Sequence, residues 1–303
     1  MIGPKYIYIE TTNLCNANCI MCPHEKMKRP RGIMDFSLFK KIVNDCKELD
    51  LSESTIFLHK EGEPFTDELI IDRIIYIKDQ LPNLKQLYVS TNGSLLDEGK
   101  IVNLLNSGLD KLCVSLDATT KETYSVIRRQ LDFEKVLKNV NDLIYWKKEL
   151  GSKLKISLQM VVSDINKHEV EEFKKLWLDK VDQVSIKTMH SYLDGGMSSF
   201  AKSKDREQKS ICFDPFNRIV IHRDGLCGVC CWDYDNVIVA GDTAKNTIQE
   251  IFNGEVFNQV RRIHEEKKCN ELEPCNRCQR IFGEDKIHSD IIQNDGEEVI
   301  YNT

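Results

Sequence analysis

The chain has no apolar run approaching the ~18 residues that a membrane span needs. It has no basic excess: 42 Lys and Arg are scattered among 48 Asp and Glu, for a formal net charge of −6. Nothing resembles the basic stripe of a nucleic-acid binder. The first residues, Met1–Glu10, read as a strand and contain no signal-peptide apolar core. The expectation is a cytoplasmic protein with neither membrane nor nucleic acid among its partners. In that reducing compartment the 12 cysteines are not a disulfide framework.

What is present is an ordinary soluble balance, 41% hydrophobic and 30% charged, over 303 residues. That length suits one large domain plus a small one. The cysteines are grouped. Three stand at Cys15, Cys19 and Cys22, and seven lie between Cys212 and Cys278. Only Cys46 and Cys113 fall between the groups. Metal ligands cluster in this way and scattered core thiols do not.

Patterning predicts strands at Lys5–Glu10, Ser54–His59, Leu87–Thr91, Lys111–Asp117, Leu154–Val162 and Val184–Thr188. Between them it predicts helices: one capped by Asp35, then Asp67–Gln80, Asp97–Ser107, Lys121–Ile127, Phe133–Leu150 and His168–Leu178. Regular β/α alternation implies an α/β fold, a partial (β/α)6 barrel of parallel strands over residues 1–193. Ligands in such sheets sit at the C-terminal strand ends. Residues 194–211 are polar and read as a linker, and 212–285 as a small cysteine-rich domain. There, Arg218–His222 reads as a strand, Asp224-Gly225 as a hairpin turn and Ile248–Glu265 as one helix. The tail, 286–303, is acidic and receives no functional assignment.

The first trio has C-x3-C-x2-C spacing and follows the first strand directly. A cubane iron–sulfur cluster normally takes four thiolates, so three on one loop leave one iron open to a ligand. The alternative is a zinc site completed by His24.

With this trio in a β/α repeat, the chain resembles the radical S-adenosylmethionine (SAM) superfamily. The resemblance implies a catalytic [4Fe–4S] cluster whose open iron chelates SAM. An electron, from a flavodoxin- or ferredoxin-type reductant, then generates a 5′-deoxyadenosyl radical that takes a hydrogen atom from the substrate. Lys60-Glu61-Gly62-Glu63-Pro64 resembles the family's Gly-Gly-Glu-Pro motif, which holds the SAM ammonium. Glu61 replaces its first glycine, while Gly62 and Glu63 are kept. The resemblance places Ser115 and Arg128 at the SAM carboxylate. Asn92, ending the third strand, counts as a further cofactor-binding candidate. Gln159, with Met160, is a candidate for the adenosine wall.

The C-terminal cysteines resemble the SPASM/twitch extension, and within it the single-cluster 2-deoxy-scyllo-inosamine dehydrogenase type. That likeness implies one auxiliary [4Fe–4S] cluster on Cys212, Cys230, Cys275 and Cys278; a zinc ribbon on the same four is the alternative. Cys227, Cys231 and Cys269 remain. They are spare buried thiols, ligands of a second cluster (Cys227 or Cys269), or hydrogen-atom donors to a substrate radical (Cys231 or Cys227).

The resemblance implies dehydrogenation or epimerisation at a carbinol carbon of a small polar substrate: a sugar, cyclitol or aminoglycoside. The chain is short and shows no N-terminal module for a leader peptide, so peptide modification is the second enzyme reading. A zinc- or cluster-bearing binding or electron-transfer protein is the non-enzyme reading.

Overall fold

The computed structural model describes residues 3–189, 208–282, 288–293 and 298–302. Its strands, in chain order, are β1 (Tyr6–Ile9), β2 (Asn18–Cys19), β3 (Thr55–Phe57), β4 (Gln86–Thr91), β5 (Lys111–Ser115), β6 (Arg128–Arg129), β7 (Lys155–Val162) and β8 (Gln183–Thr188). After the gap come β9 (Arg218–Ile221), β10 (Leu226–Gly228), β11 (Val239–Asp242), β12 (His288–Gln293) and β13 (Glu298–Asn302). One sheet runs β11-β10-β9-β1-β3-β4-β5-β7-β8-β12-β13. From β9 to β8 every neighbour is parallel, and the outer pairs are antiparallel. This is the expected α/β partial barrel, with six parallel strands, β1, β3, β4, β5, β7 and β8, and the cysteine-rich part joined to its β1 side.

The helices between these strands are α1 (Phe36–Cys46), α2 (Ile70–Gln80), α3 (Glu98–Leu105), α4 (Lys121–Ile127), α5 (Phe133–Glu149) and α6 (Val170–Trp177), with α4 and α5 both between β5 and β7. Their starts are chemically marked. Asp35, Asp97 and Asp132 each accept a backbone N–H of the first turn, satisfying donors that would otherwise be orphaned. One face of α1, Phe39, Ile42, Val43 and Cys46, is fully buried. Each such side chain is worth about 1.5–3 kcal/mol of burial.

Two expectations change. Residues 248–265 form two helices, α8 (Ile248–Phe252) and α9 (Glu255–Glu265), after the short α7 (Asp214–Asn217). Gly254 breaks the run: it takes an extended ψ of 175° as the cap of α9, and a Cβ there would lie 3.0 Å from the Glu250 carbonyl. A further short helix, α10 (Gln279–Phe282), follows the last cysteine. The tail, unpatterned in sequence, supplies β12 and β13 as a hairpin along β8. That pairing covers an edge whose backbone groups would otherwise be unpaired. Most of the linker read at 194–211, its residues 194–207, lies outside the described residues. Among the described residues no helix is long and apolar enough to cross a membrane.

Candidate active site

The loop after β1 carries Cys15, Cys19 and Cys22. Its last turn is closed by the Cys22 N–H on the Cys19 carbonyl (3.0 Å). Burial pushes the Cys15 and Cys22 thiols up to about 11 each. Thiols so placed ionise when a metal takes the proton's place. His24, the fourth ligand of the zinc alternative, is buried with its Nε2 2.9 Å from the Asn13 carbonyl. Its ring is thus committed to holding the loop.

The loop after β3 locks onto this one. Glu63 N–H donates to the Leu14 carbonyl (2.8 Å). A Cβ on Gly62 would lie 2.4 Å from the Thr12 carbonyl and 2.8 Å from that of Leu14. Backbone touches backbone there, so only glycine fits. Gly62→Ala is expected to push the cysteine loop outward, costing about 1–3 kcal/mol. Thermal unfolding of the metal-free variant tests this, and an unchanged midpoint would refute it.

Glu63 is fully enclosed. It accepts Thr91 Oγ1 (2.6 Å) and Phe65 N–H (3.2 Å) on one oxygen and Asn92 N–H (2.7 Å) on the other. Burial nevertheless raises its carboxyl above the usual range. Asn92 donates through Nδ2 to Asn16 Oδ1 (2.9 Å), inside the cysteine loop. On the other side, β2 pairs with β6, placing Cys19 opposite Arg128. Arg128 Nη1 lies 3.5 Å from Cys19 Sγ, and its Nε and Nη2 grip Asp117 Oδ2 at 2.7 and 2.6 Å. The fork that the sequence reading assigned to the SAM carboxylate is therefore largely held by Asp117. Asp117, missed as a site residue, sits at φ 63° and anchors the end of β5 to Val161 N–H. Ser115 is buried and pairs in register with Gln159.

A cavity of about 690 Å³ opens inside the barrel. Met21 of the cysteine loop, Lys60, Gln159, Lys187 and Cys231 all line it. Met160, on the opposite face of β7 from Gln159, is buried in the core. A volume of this size suits a small molecule.

The C-terminal cysteines separate sharply. Cys212, Cys269 and Cys278 form one buried cluster with Trp232, against which Cys230, Cys231 and Cys275 pack. So six of the seven gather, including the four implied auxiliary ligands. Burial raises Cys230 and Cys275 well above the usual thiol range, seconded by Asp214 and then neighbouring thiols at Cys230 and by neighbouring thiols at Cys275. Cys227 is elsewhere, fully buried in the barrel's hydrophobic core and outside the cavity lining. β10 alternates its side chains, and Cys227 takes the core-facing position opposite Ile221. So placed, Cys227 neither lines the cavity nor joins the cluster of the other six cysteines. Cys231 does reach the cavity. Arg218 Nη1 donates to its Sγ at 2.6 Å, and Asp214 Oδ2 lies 3.6 Å away.

A family model described as the radical SAM superfamily matches residues 9–177, more than half of the chain. The chain belongs to the radical SAM superfamily. An iron–sulfur cluster-binding (SPASM) domain matches residues 212–279. This radical SAM protein thereby belongs with proteins that use a [4Fe–4S] cluster, SAM and auxiliary iron–sulfur binding. The soft thiolate sets just described suit such clusters. A GTP 3′,8-cyclase of Petrotoga mobilis is 28% identical over 228 residues, 74% of this chain and 65% of the cyclase. The chain spans about half the length of several other curated relatives it matches. Among solved structures, BtrN in complex with AdoMet and 2-DOIA aligns over 92% of this chain and 93% of its own, with TM-score 0.61 and 20% identity. Streptococcus suis SuiB bound to precursor peptide SuiA aligns over 91% and 71%, with TM-score 0.67 and 14% identity. At these identities the likeness is one of fold.

Sequence reasoning missed a second buried network. Arg29 grips Glu10 with both nitrogens (2.8 and 2.7 Å), reaches Glu61 (3.4 Å) and donates from Nε to the Tyr234 carbonyl (2.7 Å). Lys60 pairs with Glu61 from the other side. Burial pushes Glu10 up, but its bonds to Arg29 and His222 outweigh this and hold it below the carboxylate range. The network ties the loop of the first cysteines to that of the auxiliary ones. It also explains why Glu61 stands where the family motif has glycine: its carboxylate joins Arg29 to Lys60. No local sequence pattern marks these partners.

Proposed function

We propose that the chain is a radical SAM oxidoreductase acting at a carbinol carbon of a small, polar, carbohydrate-like substrate, by dehydrogenation or epimerisation. In this reading Cys15, Cys19 and Cys22 hold the catalytic cluster, and Cys212, Cys230, Cys275 and Cys278 hold one auxiliary [4Fe–4S] cluster. Once bound, cluster and SAM supply the one-electron chemistry that removes a hydrogen atom from the substrate. The protein's task is to bind, orient and exclude water.

Glu63 suits the SAM ammonium. A carboxylate offers about four acceptor positions, and three are filled by Thr91, Phe65 and Asn92. The remaining position, beside the close backbone of Gly62, receives the cation. Arg128, Ser115 and Asn92 then frame the methionine end and Gln159 the adenosine side. A flavodoxin- or ferredoxin-type reductant is the expected electron donor, and the cytoplasm the expected compartment.

One observation carries the reading. The cavity brings Met21 of the cysteine loop and Cys231 of the auxiliary cysteine loop to one chamber with inward polar side chains. The shared fold with BtrN over nearly the whole of both chains supports it.

The test is an anaerobic assay with SAM, a reductant and a panel of sugars, sugar acids and cyclitols, read by mass spectrometry. A ketone two mass units lighter marks the dehydrogenase. In D2O, an inverted product carrying one deuterium marks the epimerase, and Cys231→Ala is expected to abolish that label. Modification of a peptide, with no sugar or cyclitol transformed, would overturn the carbohydrate reading.

A further inference from the structure

The cavity is lined by six cationic side chains and two carboxylates. Both carboxylates are already taken: Glu53 pairs with Lys85, and Glu61 with Lys60 and Arg29. Most of the cations are committed too. Arg218 and Arg280 share Asp214, and Arg280 also stands 3.8 Å from Cys212 Sγ, so both serve the auxiliary cysteine end. Lys111 binds Gln183. Lys187 is the exception: its ammonium lines the cavity with no ion-pair or hydrogen-bond partner among the described residues.

Beside it stands His59, whose ring also lines the cavity. Its Nδ1 accepts the Ser90 N–H (3.1 Å). A ring nitrogen that accepts carries no proton, so the proton is on Nε2, which is left as a donor. Burial, then the charges of Lys187 and Lys60, push this imidazole down to about 3, so it stays neutral. Lys60 keeps two further N–H donors after its pair with Glu61. Three donor groups, two of them charged, thus line a cavity whose two carboxylates are both already paired.

We infer that His59, Lys60 and Lys187 form an oxyanion-binding wall, and that the substrate carries a carboxylate or phosphate. The inference rests on the carbohydrate reading of this cavity and narrows it to acidic or phosphorylated sugars. An aminocyclitol is disfavoured, because its ammonium would meet like charges and find no unpaired carboxylate. Charge-assisted hydrogen bonds in a partly desolvated cavity are strong enough to set such a preference.

The experiment is calorimetric titration of the cluster-reconstituted, SAM-loaded full chain with four probes: glucuronate, glucose 6-phosphate, glucose and 2-deoxystreptamine. At least one anion is expected to bind about 10- to 100-fold more tightly than glucose. Which anion wins separates carboxylate from phosphate. Lys187→Gln is expected to collapse the difference and Lys187→Arg to retain it, each variant checked for unchanged iron content. Lys60→Gln serves as the second variant should Lys187→Gln misfold. Equal or better binding of glucose or 2-deoxystreptamine, or no binding of either anion, would overturn the inference. Anion binding without oxidation or inversion of any sugar would remove the carbinol reading and leave the anion wall standing. Turnover of a neutral or cationic sugar without anion preference would do the reverse.

Discussion

Replacing Cys15, Cys19 and Cys22 together by alanine is expected to halve the iron content, from about eight to about four atoms per chain. The physical reason is separation. The trio sits on a single loop after β1, whereas the auxiliary thiols gather around Trp232 from three later segments. The auxiliary thiols are carried by segments other than the first loop. The same variant is expected to lose deoxyadenosine formation from SAM by at least about 10⁴-fold, since the chemistry resides in the bound group. Iron and sulfide analysis of anaerobically purified protein gives the first number and chromatography of SAM products the second. Zinc without sulfide in the first loop, or loss of all iron in the triple variant, would sink the two-cluster arrangement.

Asp214→Ala is expected to be among the most destabilising single changes, at about 3–5 kcal/mol. Asp214 is fully buried, with one oxygen 2.8 Å from Arg218 Nη1 and the other 3.0 Å from Arg280 Nη1. Removing it leaves two guanidiniums facing each other with little water to receive them. Neither can swing away freely. Arg218 lies against the rings of Tyr6, Tyr8 and Phe213, and Arg280 against Trp232. Thermal unfolding of the metal-free protein should show a midpoint lowered by about 6–12 °C.

The pH dependence carries a sign. Burial pushes the Asp214 carboxyl up, but Arg218 and Arg280 outweigh this and hold it below its ordinary value of 3.8. Its contribution is therefore complete above the unfolded value and disappears as pH falls through the folded one. Wild type and Asp214→Ala should differ fully at neutral pH and converge in strong acid. A constant difference across that range would show that packing, not charge, sets the effect.

Much of this protein was legible in its sequence because the deciding signals are local. C-x3-C-x2-C places three thiolates on one loop whatever surrounds it. Apolar periodicity and Asp caps mark strand–helix units one after another, and alternation of six such units implies a parallel sheet. The helix drawn over 248–265 failed locally too, at Gly254, where a permissible helix residue is used as a cap instead.

Other features arise from contacts between segments far apart in the chain. Cys227, Cys230 and Cys231 are near-neighbours in sequence, and spacing cannot say which one faces a core, a cluster or a cavity. That choice follows from β9 pairing with β1, which aims Cys227 inward and carries Cys230 and Cys231 past the strand end. The commitment of Arg128 to Asp117, and of Arg29 to Glu10 and Glu61, likewise depends on loops from different strands meeting. So does the charge of Lys187, which has no ion-pair partner among the described residues. The sequence by itself determined the cluster chemistry and the barrel, because covalent spacing and periodicity act over a few residues. Only the tertiary structure decided which charges cancel inside the cavity, because compensation between buried charges depends on distances that the chain order does not set.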